Sequence, residues 1–539
     1  MASVCGSRTL VVGGGITGLV ASLELLSAGG SVTLLDRGDA SALGGLALQA
    51  FGGMALVDTP QQRWSGIRDS AELALADWLS FARFGPEDLW PRRWAETYVS
   101  RCIPEVYEWL RQWGLHFIPA VQWVERGLMR PGNSVPRYHV LWGTSRHMTT
   151  TLLKALRTHP RAQALTVLPR HRVTALTCQD RTVTGCQGVD EATQRPFELT
   201  ADRVLIAGGG ITGDLARVRA HWPADWGAPP QDLLNGSHPG ADGALHDAAS
   251  AVGARVTHLD QMWNYVAGVA HPSPQFEGHG LSLIPAKSAL WMDPHGRRIG
   301  PVPWVTAFDT RDMVQQMTHE RWPHTWQIMN RRIAERELAA SGAEHNPHIR
   351  DRRPFALAWQ MLRGQVALVD ELLAQCPDVV QANDLGALAD RMNALTGQRE
   401  VCAQTLAAEV APYDAQIRRG PRFHNDDQLR RIAQLRQWMG DRLRTCAFQP
   451  ILDPAAGPLI AIRCRLLTRK SMGGIQTDLH SRVLDAQGQP IDGLYAAGEA
   501  AGFGGGGANG ASSLEGTFLS GCILTARAAA RHITLETRS

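Results

Sequence analysis

One hexapeptide, Gly13-Gly14-Gly15-Ile16-Thr17-Gly18, constrains this chain more than any other feature because of what flanks it. Ahead of it, Thr9-Leu10-Val11-Val12 is short, apolar and rich in β-branched residues, as a buried parallel strand requires. Behind it, Leu19, Val20, Leu23 and Leu26 predict a helix from about Thr17 to Ser27, stopped by Gly29-Gly30. Val32-Thr33-Leu34-Leu35 then predicts a second strand ending in Asp36, 18 residues beyond Gly18. Gly13 permits the tight strand-to-helix turn, Gly15 lets a pyrophosphate approach the backbone, and Gly18 lets the helix close on the strand. The helix start at Ile16 and Thr17 offers unpaired N–H groups and a positive dipole end to phosphates. Asp36 can accept hydrogen bonds from a ribose hydroxyl pair. Strand, glycine turn, helix, strand and acid together predict a dinucleotide-binding βαβ unit.

The chain around this unit is large, 539 residues with 44% hydrophobic and 19% charged side chains, enough for two large units or three small ones. Its 54 basic and 51 acidic residues give a net charge of only +3, which argues against a dedicated nucleic-acid or membrane-surface binder. No apolar run reaches the roughly 18–20 residues of a membrane span. The strand beginning by Arg8 leaves no room for a secretory leader. Nine scattered cysteines, none in Cys-x-x-Cys, read as reduced thiols. These features predict a cytoplasmic protein. No zinc-ligand spacing or Gly-x-Ser-x-Gly elbow occurs, so metalloenzyme and hydrolase readings lack support and no metal is expected.

After Asp36 come Arg37-Gly38, Gly44-Gly45-Leu46-Ala47 and Phe51-Gly52-Gly53. Here the chain resembles flavoproteins of the fumarate reductase and succinate dehydrogenase superfamily, close to a ketosteroid dehydrogenase-like group. In that superfamily a Gly-Gly pair after the second strand passes close to the FAD diphosphate and ribityl chain. The resemblance implies FAD as cofactor, with Arg37, Gly44, Gly45, Ala47, Gly52 and Gly53 along it. It implies an α/β fold: a Rossmann-type FAD-binding domain, split in sequence, with an inserted α+β cap or substrate domain. The expected division is 1–260 for the first part, 261–454 for the cap and 455–539 for the return.

Gly208-Gly209-Gly210-Ile211-Thr212-Gly213 repeats the first hexapeptide letter for letter, also after an apolar strand. No second strand ending in an acid follows, so an echo is favoured over a second nucleotide site. The resemblance places Val173, Ala207 and Gly208 beside the FAD, and Asp242 of Gly240-Ala241-Asp242-Gly243 in support of the flavin loop. It makes Gly493 to Glu499 the closing strand, with Glu499 near the ribityl chain. Ser512-Ser513-Leu514-Glu515 fits a capping box and predicts that the last helix starts at Ser512 or Ser513. Ser513 and Leu514 would then offer N–H groups to the anion that gathers on reduced flavin. Between Thr310 and about Met439 the pattern predicts helices joined near Asn346-Pro347 and Ala411-Pro412.

The chemistry implied by the resemblance is hydride exchange between flavin N5 and the CH–CH or C=C group next to a carbonyl of a cyclic or hydrophobic substrate. An electron donor or acceptor, not identified by the sequence, completes the cycle. The His that fumarate reductases place before Met-Gly-Gly to hold a carboxylate is replaced by Lys470-Ser471, and the ketosteroid dehydrogenases' Tyr before the last helix is absent, since no Tyr follows Tyr495. Six tyrosines occur in all. Tyr138 is the first candidate for proton transfer and Tyr265 the second, with His139 and Arg146 near enough in sequence to Tyr138 to assist. A flavin oxidase or monooxygenase, or a flavin-binding protein without turnover, remains open at this point.

Overall fold

The first strand, β1 (Arg8–Val12), forms because four of its five residues are apolar or β-branched and buried on both faces. In the computed structural model, which describes residues 8–536, β1 lies in a six-stranded sheet. Its parallel neighbours are β2 (Ser31–Leu35) on one side and the strand Arg203–Ile206 on the other. Leu165–Leu168 extends the sheet beyond β2, and Pro490–Ala496 and then Arg482–Leu484 extend it beyond Arg203–Ile206. Only the Arg482–Leu484 edge strand runs antiparallel to its neighbour. The connecting helix α1 (Ile16–Ser27) buries ten of its twelve residues and packs against the long C-terminal helix Thr517–Glu536. At about 1.5–3 kcal/mol for each fully buried large apolar side chain, Leu19, Val20, Leu23 and Leu26 alone anchor α1 firmly.

The chain divides into two compact units. Among the described residues the first comprises 8–221, Ser237–Trp263 and 470–536. Besides the parallel sheet it holds an antiparallel ribbon of His171–Gln179, Thr182–Asp190 and Arg195–Thr200. The second unit comprises Trp222–Gly236 and Asn264–Arg469. Its hub is the long strand Leu459–Ser471, which takes Thr325–Asn330 and Val379–Ala382 as antiparallel partners and Leu233–Asn235 as a parallel one. Asp378, fully buried, accepts from Arg463 Nε and Arg465 Nη2 of this strand at 2.7 Å each, which pairs the charge that burial would otherwise penalise.

Two local expectations are corrected. The last helix starts at Thr517, not at Ser512 or Ser513. Glu515 and Gly516 take left-handed backbone angles, φ 49° and 92°, which no α-helix accommodates, and the Glu515 carboxylate accepts from the Trp263 indole at 2.8 Å instead of closing a capping box. The break expected at Ala411-Pro412 is also absent: the helix Ala403–Arg419 runs through Pro412. Ala408, Ala411 and Pro412 lie on its exposed side, so the carbonyl deprived of a partner by the proline faces water. Of the nine cysteines, Cys5 lies outside the described residues and the other eight are free thiols.

Candidate active site

The glycine turn is built as its spacing demands. Gly13 has φ +114°, and a Cβ there would sit 2.4 Å from the Ala207 carbonyl oxygen. A Cβ on Gly18 would lie 1.9 Å from Gly13 O, so only glycine lets the helix approach. Gly15 is different: a Cβ there meets nothing within 4 Å. Gly15 is also the N-cap of α1 without any side-chain cap bond. Open space beside the uncapped start of a twelve-residue helix, with Ile16 and Thr17 in its first turn, is what an anionic diphosphate needs. The Asp36 carboxylate ties the turn together, accepting from Gly14 N at 2.6 Å and Gly38 N at 2.7 Å. Each oxygen keeps a second lone pair for a further donor such as a ribose hydroxyl.

The loop after β2 folds back on the turn. Gly44 N donates to Gly14 O at 2.7 Å, and a Cβ on Gly45 would reach Gly15 Cα at 3.5 Å. Ala47 O accepts from Ser145 Oγ at 2.5 Å. Arg37 pairs with Asp242 at 2.6 Å. Burial raises the Asp242 pKa, but the Ala244 N–H and Arg37 outweigh it and hold the carboxyl below its usual range. Val173 is buried in the antiparallel ribbon, and Ala207 N donates to Val12 O at 2.7 Å, stapling the end of the neighbouring strand to β1. Gly208 packs on Leu245, whose Cδ1 a Cβ would meet at 2.2 Å. Glu499 Oε1 accepts from Ser471 N at 2.9 Å.

The repeated hexapeptide Gly208–Gly213 starts no helix; it forms turns, followed by the short helix Leu215–Ala220. Gly213 is pressed onto the His238 carbonyl, where a Cβ would lie at 2.2 Å. It makes no second βαβ unit among the described residues.

Opposite ends of the first unit's sequence meet around Tyr138. Its strand, Tyr138–Val140, pairs antiparallel with Gly53–Ala55. The phenol lies across Gly53, where a Cβ would come within 1.9 Å of its ring and hydroxyl, and against Gly516, where a Cβ would meet Tyr138 Cδ2 at 2.9 Å. Gly52 makes a similarly close approach, to the Ser145 amide. The segment before the last helix is pinned from several sides. Trp78 Nε1 donates to Ala508 O, Ala511 N to Ala82 O, Asn133 Nδ2 to Leu514 O and Ala55 N to Gly516 O, all between 2.7 and 3.0 Å. Inside it Asn509 is 1% exposed; its Oδ1 accepts from Thr517 Oγ1 at 2.6 Å and Ser513 Oγ at 3.3 Å, while Nδ2 has no partner. Ser512 Oγ is buried and unpartnered as well.

The other sequence candidates fare differently. His139 is fully buried, with Nδ1 at 2.7 Å from Arg137 O and Nε2 at 2.7 Å from Thr59 Oγ1. Burial pushes its pKa down to about 4, so it is a neutral prop with both nitrogens engaged. Arg146 is exposed on the first turn of the helix Thr144–Arg157. Tyr265 is half-buried in the strand Met262–Ala270 and belongs to the second unit. Sequence reasoning missed the buried ion trio behind Tyr138: Arg137, 2% exposed, reaches Asp69 at 2.7 Å and Asp77 at 2.5 Å and also holds Asn133.

One His/Glu group among the described residues has metal-like proximity: His271, Glu344 and His345, with ligand atoms within 4.8 Å of one another. Ser273 N donates to His271 Nδ1 at 3.0 Å, which puts the ring proton on Nε2, and Nε2 donates it to Glu344 at 3.0 Å. His271, hydrogen-bonded to it, and the neighbouring His345 hold the Glu344 carboxyl well below its usual range. Within the trio His271 is hydrogen-bonded to Glu344, while His345 Nε2 lies 3.4 Å from Glu344 and makes no hydrogen bond.

A parallel sheet with a glycine turn at the head of α1, an acid closing β2 and a glycine-rich return segment defines a dinucleotide-binding flavoprotein. The chain belongs to the FAD binding domain family, which matches residues 8–519, and it is an FAD-dependent oxidoreductase. It is 41% identical to a KsdD-like steroid dehydrogenase of Mycobacterium tuberculosis, over 97% of this chain and 94% of that one. Among the solved structures that share its fold are a fumarate reductase and a ketosteroid dehydrogenase. A flavocytochrome c3 fumarate reductase in an open conformation has a TM-score of 0.67 at 21% identity, over 99% of this chain and 79% of that one. A 3-ketosteroid-Δ4-(5α)-dehydrogenase from Rhodococcus jostii RHA1 has a TM-score of 0.64 at 20% identity, over 98% and 97%. No helix among the described residues is long and apolar enough to cross a membrane.

Proposed function

We propose that this protein desaturates a ring next to a ketone in a steroid-like substrate, working in the cytoplasm and passing the electrons to an external acceptor. The observation that carries the reading is that the Gly502–Gly516 segment packs its last residue, Gly516, against the Tyr138 phenol and also holds a buried amide donor without a hydrogen-bond partner, Asn509 Nδ2. The 41% identity to a KsdD-like steroid dehydrogenase supports a steroid-type ketone as substrate.

In this reading Gly13, Gly15, Gly18, Ile16 and Thr17 receive the FAD diphosphate and Asp36 the ribose. Arg37, Gly44, Gly45, Ala47, Gly52, Gly53, Val173, Ala207, Gly208, Asp242 and Glu499 shape the remainder of the cleft, and Ser513 and Leu514 face the flavin ring. The open space at Gly15 and the spare lone pairs of Asp36 fit such a group. Bound FAD supplies the hydride acceptor. Tyr138, with Tyr265 as the second candidate, removes the proton from the carbon α to the carbonyl. Asn509 Nδ2 donates to the carbonyl oxygen, where enolate charge develops. Loss of a hydride from the β carbon and a proton from the α carbon leaves a carbon–carbon double bond conjugated to the ketone.

The test is anaerobic mixing of the oxidised protein with saturated cyclic ketones, 3-ketosteroids included, while flavin absorbance is followed. Bleaching by a 3-ketosteroid, slowed about a hundredfold or more by Tyr138→Phe, is the expected result. No bleaching by any of the ketones, together with no reoxidation of the reduced protein by the corresponding enones, overturns the reading. Rapid reoxidation by oxygen alone would make the protein an oxidase.

A further inference from the structure

The helix Pro354–Arg363 in the second unit buries none of its ten residues. Phe355 is 87% exposed, Leu362 75% and Trp359 57%. At 100° per residue these three fall on one stripe of the helix. The stripe is not a frayed end. Arg336 Nη1 donates to Met361 O at 2.9 Å and Gln365 N to Glu335 O at 2.5 Å. Gly364 packs so closely on Glu335 that a Cβ would meet its carbonyl oxygen at 2.5 Å. The helix is fixed to its unit with its apolar side outward.

The flanks of the stripe are basic. Residues 350–363 hold four arginines, Arg350, Arg352, Arg353 and Arg363, against one acid, Asp351. The Arg353 side chain is 66% exposed, and Arg363 lies over the Trp359 ring at 4.6 Å. The near-neutral balance of the whole chain conceals this local excess.

We propose that Pro354–Arg363 is a docking helix that lies in the interface of a bilayer containing anionic phospholipid. Phe355 and Leu362 enter the acyl boundary, Trp359 sits at headgroup depth, and Arg353 and Arg363 extend to the phosphates. Charge decides between this occupant and a second copy of the chain. A two-fold contact through the stripe would bring arginine flank against arginine flank, whereas anionic headgroups neutralise both. The inference goes beyond the substrate reading and stands without it, since the test contains no steroid.

The FAD-loaded protein is pelleted with vesicles of phosphatidylcholine alone or with a third phosphatidylglycerol, at low and high salt. Wild type is expected to bind the anionic vesicles, more weakly at high salt. Phe355→Ser with Leu362→Ser should lower partitioning by about a hundredfold, roughly tenfold for each apolar side chain withdrawn from the bilayer. Arg353→Glu with Arg363→Glu should abolish the preference for anionic vesicles. All four side chains are solvent-facing, so flavin content and thermal midpoint should match wild type and serve as the folding control. Failure of wild type to pellet with either vesicle overturns the proposal, as does undiminished binding by the Phe355/Leu362 variant. A wild-type dimer in lipid-free solution that becomes monomeric in that variant assigns the stripe to a second copy and overturns it too.

Discussion

Asp36→Asn isolates what holds the nucleotide turn. The two Asp36 oxygens accept from Gly14 N at 2.6 Å and Gly38 N at 2.7 Å, both charge-assisted. An asparagine has one acceptor oxygen, so one of these amides must face the side-chain NH2, donor against donor. A hydrogen bond to a charged group is worth about 1.5–3 kcal/mol, and that is the least the substitution removes. Because the amides belong to the segments on either side of Gly15, the loss falls on a geometry that FAD binding requires. At 1.4 kcal/mol per tenfold, FAD affinity should fall by about 10- to 100-fold. The assay is equilibrium titration of apoprotein with FAD, following flavin fluorescence. Asp36→Ala, which removes both acceptors, should fall further still. Asparagine binding within about threefold of wild type would refute the reasoning, since a lost charge-assisted bond cannot be that cheap if the turn depends on it.

Arg137→Leu leaves Asp69 and Asp77 buried without their cation, which should cost about 3–5 kcal/mol and appear as a lower thermal midpoint with loss of FAD; an unchanged midpoint would show the trio to be dispensable. Glu105 lies between Arg101, Arg527 and Arg531; burial alone would raise its pKa, but the hydrogen bonds from Arg531 and Arg101 outweigh it and bring it from 4.5 down to about 2. Its contribution, about 2 kcal/mol after allowing for the half-exposed Arg101 and Arg531, is complete above the unfolded value of 4.5 and lost as pH falls toward 2. Glu105→Gln should therefore unfold several degrees earlier at pH 7, with a gap that narrows steadily below pH 4.5; a gap that stays constant across that range counts against the assignment. Asn509→Leu should retain FAD and lower kcat by about a hundredfold, the usual loss of one oxyanion donor; turnover within threefold of wild type removes Asn509 from the mechanism.

What was legible in the sequence is what neighbours along the chain decide. The β1–α1–β2 unit and its acid depend on periods and glycine offsets within about thirty residues, and the structure reproduces them to within a residue or two. What was missed depends on partners far away. Arg137 meets Asp69 and Asp77 from 68 and 60 residues off. Glu515 leaves the capping box because Trp263, 252 residues earlier, takes its carboxylate. The stripe Phe355, Trp359, Leu362 has the spacing of a core helix, and only the folded chain shows that it faces outward.

The two identical hexapeptides make the physical limit plain. Gly13–Gly18 leads into twelve helical residues; Gly208–Gly213 leads into turns. Six identical residues have identical propensities, so the difference comes from outside them. After Gly18 the chain continues Leu19-Val20-Ala21, all fully buried, and the return for burying that face extends the helix at once. After Gly213 comes Asp214, whose carboxylate caps a new helix by accepting from Ala216 N at 2.8 Å, so helix formation restarts there rather than continuing from the glycines. The space differs too. Gly15 faces open room, while a Cβ on Gly210 would meet Ser471 at 2.5 Å and Glu499 at 2.9 Å. The first copy thus presents backbone N–H groups to open space, and the second packs its backbone against protein. A glycine motif becomes a phosphate site only where the residues after it extend the helix and the fold leaves the space beside it empty.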